Sequence, residues 1–95
     1  MAPIKRLVLD VLKPNQVTTI EFTEEVAALT GIMGANAKLL ESDTEVQNLK
    51  VTIEGPAIDD QAVMDTIAAL SSTVHSVDEA ACGERLVEES ATLQD

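Results

Sequence analysis

A chain of 95 residues, 45% hydrophobic and 24% charged, has the length and composition of one compact domain. It buries only about 60–65% of its unfolded surface, so the core is thin, and with one aromatic residue (Phe22) it must be built from Val, Ile, Leu, Ala and Met. Six basic residues stand against seventeen acidic ones, a net charge of -11, which excludes a nucleic-acid surface made of cationic grooves and aromatic stacking platforms.

Residues 4–13 (IKRLVLDVLK) are rich in leucine and β-branched residues and stop at Pro14-Asn15, a turn signal, so they predict a first strand. Thr18 and Glu21 have the spacing of a capping box, in which hydroxyl and carboxylate each satisfy an orphan helix N–H. Phe22, Val26 and Leu29 follow at i, i+4 and i+7, one face of a helix, and Gly31 is placed to end it in a left-handed conformation. Residues 35–42 predict a second strand and Asp43-Thr44-Glu45 a hairpin loop. Residues 46–55 are the clearest strand, with Leu49, Val51 and Ile53 alternating with Lys50, Thr52 and Glu54 up to a break at Gly55-Pro56.

Asp59 predicts the N-cap of a second helix, with Ile58 and Val63 at the two positions of a hydrophobic staple. Val63, Ile67 and Leu70 continue its apolar stripe, and Ser71-Ser72 ends it loosely. Residues 73–82 predict a last strand, stopped by Gly83. The domain therefore covers 1–83, and residues 84–95 form an acidic C-terminal tail or a short helix through Leu86-Val87.

Two β-α-β halves joined by a hairpin, with right-handed crossovers, predict an α+β fold of the ferredoxin-like β-α-β-β-α-β kind. In it a four-stranded antiparallel sheet has strands 1 and 3 at its centre and two helices on one face. The other face is open. Leu7, Leu9 and Val11 point to the helices, which leaves Arg6, Val8, Asp10 and Leu12 outward beside Lys50, Thr52 and Glu54. Antiparallel pairing sets Arg6 against Glu54, Val8 against Thr52 and Asp10 against Lys50. The two charged pairs are each worth roughly 0.2–1 kcal/mol. Asp10 and Glu54 then sit at opposite ends of the sheet, as sheet stabilisers and not as a shared metal site. Asp78-Glu79 remains as a candidate ligand pair for a hard divalent ion, calcium or magnesium, with oxygens from a second subunit. The last strand lacks clean alternation, so its sequence does not say which of the two faces outward. Val8 and Leu12 on an open face point to a subunit contact.

Other chemistries are set aside on composition. Cys82 is alone, so neither a disulfide within the chain nor a paired Cys-x-x-Cys metal site can form, and a lone cysteine is most simply a small buried hydrophobe. Lys13-Pro14-Asn15-Gln16 has no glycine to open a phosphate cradle. His75 is the sole histidine, and Ser76 beside it points to the opposite side of a strand, so no nucleophile–base pair is formed. No apolar run serves as a signal peptide or a membrane span, and a cytoplasmic protein is expected. Of three readings of the charge (salt adaptation, a cationic partner, an ordinary acidic surface), few lysines and scattered acids favour the first.

Arg6-Leu7-Val8-Leu9-Asp10-Val11-Leu12-Lys13-Pro14 and Val51-Thr52-Ile53-Glu54-Gly55 resemble segments of the archaeal family labelled domain of unknown function 211. So does His75-Ser76-Val77-Asp78-Glu79 followed by Gly83 and Leu86-Val87-Glu88-Glu89. The resemblance covers nearly the whole chain. It implies a ferredoxin-like fold in a small cytoplasmic archaeal protein that forms homo-oligomeric rings and binds divalent cations such as calcium. With the acidic composition, it implies a haloarchaeal member. It implies no catalytic residue, because the family has no settled activity. The first helix departs from the family pattern, and so does the tail, which lacks a proline before Gln94-Asp95.

The reading is a non-enzymatic homo-oligomeric assembly or binding module, with Val8, Leu12, Leu86 and Val87 at the interface and no nucleic-acid or membrane partner. The alternative is a sensor of divalent metal or a small ligand, with Asp78 and Glu79 as ligands at a subunit boundary.

Overall fold

The computed structural model describes residues 2–88. The elements follow in the expected order: β1 (Ile4–Pro14), α1 (Thr19–Ala27), β2 (Gly34–Ser42), β3 (Val46–Ile58), α2 (Asp60–Ala69) and β4 (Thr73–Cys82). They form one antiparallel sheet in the order β2-β3-β1-β4, with both helices on one face, a ferredoxin-like α+β sandwich. The core lies between the layers: Leu7, Leu9 and Val11 of β1 and Leu49, Val51 and Ile53 of β3 meet Phe22 and Val26 of α1 and Val63 and Ile67 of α2. Each such side chain contributes about 1.5–3 kcal/mol by leaving water.

Both helix starts form as the sequence predicts. The Thr18 hydroxyl accepts from the Glu21 amide at 3.0 Å, and the Thr18 amide donates to the Glu21 carboxylate at 3.1 Å. Asp59 accepts from the Ala62 amide, and Ile58 and Val63 are both buried. The helix ends differ from expectation. α1 stops at Ala27, and Gly31 lies beyond it, at the third position of a turn closed by the Ile32 amide on the Leu29 carbonyl. Its φ of 88° suits a type II turn. α2 ends firmly, not loosely. Ser71 adopts φ 59°, its amide donates to Ala68, and the Ser72 amide donates to Ile67, which together make a Schellman motif.

The strand β3 runs through Gly55-Pro56 instead of breaking there. Ile4 pairs with Ile58 and Arg6 with Glu54, so three β3 residues bulge against Lys5, and a bulge tolerates the missing proline N–H. The turn at Gly31 passes so close that a Cβ on Gly55 would stand 2.1 Å from the Gly31 carbonyl oxygen. β4 carries two bulges, at His75 and Asp78, where its register with β1 slips. Each slip swaps the faces, which is why its sequence shows no alternation. No described helix is long and apolar enough to cross a membrane.

Candidate functional site

Four cross-strand rows make up the open face, because β1 and β3 turn their even-numbered residues away from the helices. The rows read Gly34–Glu54–Arg6–Ala81, Asn36–Thr52–Val8–Glu79, Lys38–Lys50–Asp10–Ser76 and Glu41–Asn48–Leu12–Thr73. Beyond them Val46 lies opposite Pro14.

Arg6 is the hub of the first row. Its guanidinium donates to Glu54 at 2.7 Å, forks onto both Glu88 oxygens at 2.7 and 2.8 Å, and reaches Glu79 at 3.4 Å. The bidentate geometry is the strongest a guanidinium makes with a carboxylate. It fastens the segment after β4 to the sheet. That segment turns away at Gly83, whose φ of 125° favours glycine and whose amide donates to the Pro3 carbonyl. The hydrogen bond to Arg6 holds the Glu88 carboxyl below the usual carboxylate range, and the Glu88 and Glu54 carboxylates hold Arg6 protonated. Residues 84–88 are not helical, and 89–95 lie outside the described residues. The Arg6–Glu54 pair was legible in the strands. Glu88, 82 residues away, was not.

The third row departs from expectation. Asp10 does lie opposite Lys50, but its carboxylate accepts from the Asn48 amide, and no Asp10–Lys50 ion pair forms among the described residues. Lys50 also faces Lys38 directly across β2–β3, and both are exposed. Like charges directly opposite each other across a strand pair are destabilising. This pairing was invisible in the sequence because β2 alternates weakly and bulges at Leu40.

Of the residues expected at an interface, Val8 is 6% exposed, hemmed between Thr52 and Glu79 on a central strand. It is therefore a buried residue of the sheet and not part of an exposed patch. Leu12 is 38% exposed and Val46, which the sequence reading did not single out, 40%. The two share a shallow cavity of about 480 Å³ with Asn48 and Glu41. Leu86 and Val87 are exposed at the other end.

Asp78 and Glu79 both border a shallow cavity of about 470 Å³, together with Glu88. Asp78 sits on the bulge and accepts from the Ser76 hydroxyl at 2.7 Å, while Glu79 turns to Arg6. A calcium ion takes six to eight oxygens, and among the described residues no group of three or more His, Cys, Asp and Glu side chains is placed to hold a metal ion; the three carboxylates that do meet, Glu54, Glu79 and Glu88, meet on Arg6. His75 is exposed on the neighbouring bulge. Cys82 is exposed, not a buried hydrophobe, because it ends an edge strand beyond the helices' cover.

Two further features lie outside what the sequence suggested. Lys13 is fully buried on the helix side, where its ammonium donates to the carbonyls of Pro14 and Val17. Burial pushes its pKa down, partly offset by the nearby Glu21 carboxylate. A cavity of about 710 Å³ lies at the β2–β3 side of the open face. Its walls include Met33, Asn36, Thr52, Pro56 and Leu86, with Lys5 and Glu84 also in its lining. The cavity is shallow and open to solvent.

The model of the family named DUF211, described as uncharacterized ArCR, matches residues 5–95. An uncharacterized protein of the archaeon Methanocaldococcus jannaschii is 39% identical over 95 residues, an alignment that covers 100% of this chain and 98% of the relative.

Proposed function

We propose, from the premise that this chain belongs to the DUF211 family, that it is a non-enzymatic module that works as a homo-oligomer. The observation that carries this reading is the pair Leu12 and Val46, apolar, exposed and adjacent on an uncovered sheet face. The edge strands support it, because β2 and β4 are nine and ten residues long and leave unpaired backbone groups, with Leu39 and Val77 exposed on them. Arg6 is tied to Glu54 and Glu88, and Asp10 accepts from Asn48, so these groups are engaged within the face itself, which suits a contact surface better than a reaction centre. Leu12→Asp is expected to give monomers in sedimentation velocity where the unchanged chain associates. Association that persists in Leu12→Asp/Val46→Asp removes this face as the interface.

The acidic surface supports a salt-adapted protein of the archaeal cytoplasm. α1 and α2 carry Glu21, Glu24, Glu25, Asp60 and Asp65 and no basic residue. Equal melting temperatures in dilute buffer and molar salt would remove that part of the reading.

One observation favours a second role, ligand sensing: the 710 Å³ cavity, walled partly by the segment that Arg6 fastens through Glu88. A ligand there would bear directly on the position of that segment.

A further inference from the structure

We infer that the β2–β3 half of the open face binds a small organic anion, its carboxylate or phosphate group on Lys38 and Lys50 and its apolar body in the adjoining cavity. This deepens the ligand-sensing reading and rests on it; it does not depend on assembly.

The starting point is where the cations are. The chain has six basic residues against seventeen acidic ones, so a surface optimised only for self-repulsion would disperse them among acids. Arg6 obeys that logic with three carboxylate partners. Lys38 and Lys50 do not. They face each other in register, both are exposed, and neither forms an ion pair among the described residues, Asp10 in the same row accepting from Asn48 instead. A like-charged pair is relieved by an anion that bridges it.

The cavity supplies the rest of the ligand's surroundings. Asn36 and Thr52, which line it, are a cross-strand pair one row from Lys38 and Lys50. Two residues along a strand span about 6.8 Å, so a body of a few carbon atoms reaches from the cavity to the lysine pair. Met33, Pro56 and Leu86 offer it apolar contact, and the amide of Asn36 and the hydroxyl of Thr52 offer hydrogen bonds between the two ends. Two carboxylates also line the cavity. Glu54 lies two rows from Lys38 and Lys50, and Glu84 lies on the C-terminal segment, so an anionic head is held at the lysine end of the face and away from both.

The test is a titration of the isotopically labelled full chain, read by backbone amide shifts, with octanoate, phenyl phosphate, inorganic phosphate and the neutral analogue octanamide. Octanoate and phenyl phosphate are expected to saturate, with shifts concentrated at residues 33–38, 50–56 and 86. Stronger binding by one than the other tells carboxylate from phosphate. Inorganic phosphate, lacking a body, is expected to bind more weakly and to move only the region of Lys38 and Lys50. The double substitution Lys38→Gln/Lys50→Gln should weaken octanoate at least about tenfold, the scale of one lost charged contact. Leu86→Ser should weaken octanoate while sparing inorganic phosphate. Octanamide binding as tightly as octanoate, or a lysine double variant within about twofold of the unchanged chain, overturns the anion assignment and leaves the cavity as a site for neutral ligands. No localised shift with any probe overturns both the assignment and the ligand-sensing reading.

Discussion

An alanine at position 55 probes the tightest surroundings of the four glycines. Its Cβ would stand 2.1 Å from the Gly31 carbonyl oxygen and 2.9 Å from the Ile32 Cα. Ordinary contact begins near 3.4 Å, so the turn at Gly31 must retreat by about 1.3 Å (3.4 − 2.1). The obstructing atoms are main-chain, so no side-chain rotation relieves the clash. Overpacking costs about 1–3 kcal/mol, and backbone on the receiving side places Gly55→Ala at the upper end, about 3 kcal/mol. For a domain of this size that is a large share of a total stability of roughly 5–14 kcal/mol. The melting temperature should fall by roughly 12–24 °C. Gly34→Ala is the control: nothing lies within 4 Å of its added Cβ, and the substitution should leave stability unchanged or raise it by about 0.4–1 kcal/mol through the unfolded chain. The chain has no Trp or Tyr, so urea and thermal unfolding are best followed by far-ultraviolet circular dichroism. A Gly55→Ala variant within about 0.5 kcal/mol of the unchanged chain, or one that moves with Gly34→Ala, would refute the close approach.

Ser71→Gly should stabilise by about 0.5–1 kcal/mol, because Ser71 holds a left-handed φ of 59° in the Schellman motif; a loss on urea unfolding would contradict that geometry. Glu88 has a folded pKa below its unfolded value, so its contribution is present above the ordinary carboxylate range and is lost as pH falls through the folded pKa. The acid limb of a stability–pH curve should therefore flatten in Glu88→Gln, and an unaltered limb would mean the Arg6 fork is not formed in solution. Lys13 has the opposite sign. Its folded pKa is lowered, the unfolded chain binds the extra proton, and stability should rise with pH from the folded pKa up to about the unfolded value of 10.5. Lys13→Met should lack that rise when the two proteins are compared pH by pH, and an identical alkaline slope would place the ammonium in water.

Particular elements show what could be read from sequence. The capping box at Thr18, the staple at Ile58 and Val63 and the alternation of Leu49, Val51 and Ile53 are local patterns, and local patterns survive folding unchanged. The register followed from them, because a one-residue slip would turn the whole buried set of β1 to solvent. β4 resisted the same reasoning since its bulges at His75 and Asp78 switch faces twice within ten residues. Gly55-Pro56 misled because a proline signals a break only where its missing N–H would have been paired, and at a bulge it would not. Ser71 was read as a loose end because a non-glycine residue in the left-handed region is uncommon.

The candidate site divides in the same way. The sequence by itself determined the fold, the uncovered sheet face and the pairing of Arg6 with Glu54, because periodicity and antiparallel register are properties of neighbours along and across two well-patterned strands. Only the tertiary structure decided what that face carries. It buried Val8, gave Asp10 to Asn48 and Glu79 to Arg6, brought Glu88 back across the sheet, and set Lys38 against Lys50 beside a cavity. The physical reason is range. Charge and hydrogen-bond partners are settled by whichever group comes nearest in space, and here those groups lie up to 82 residues apart.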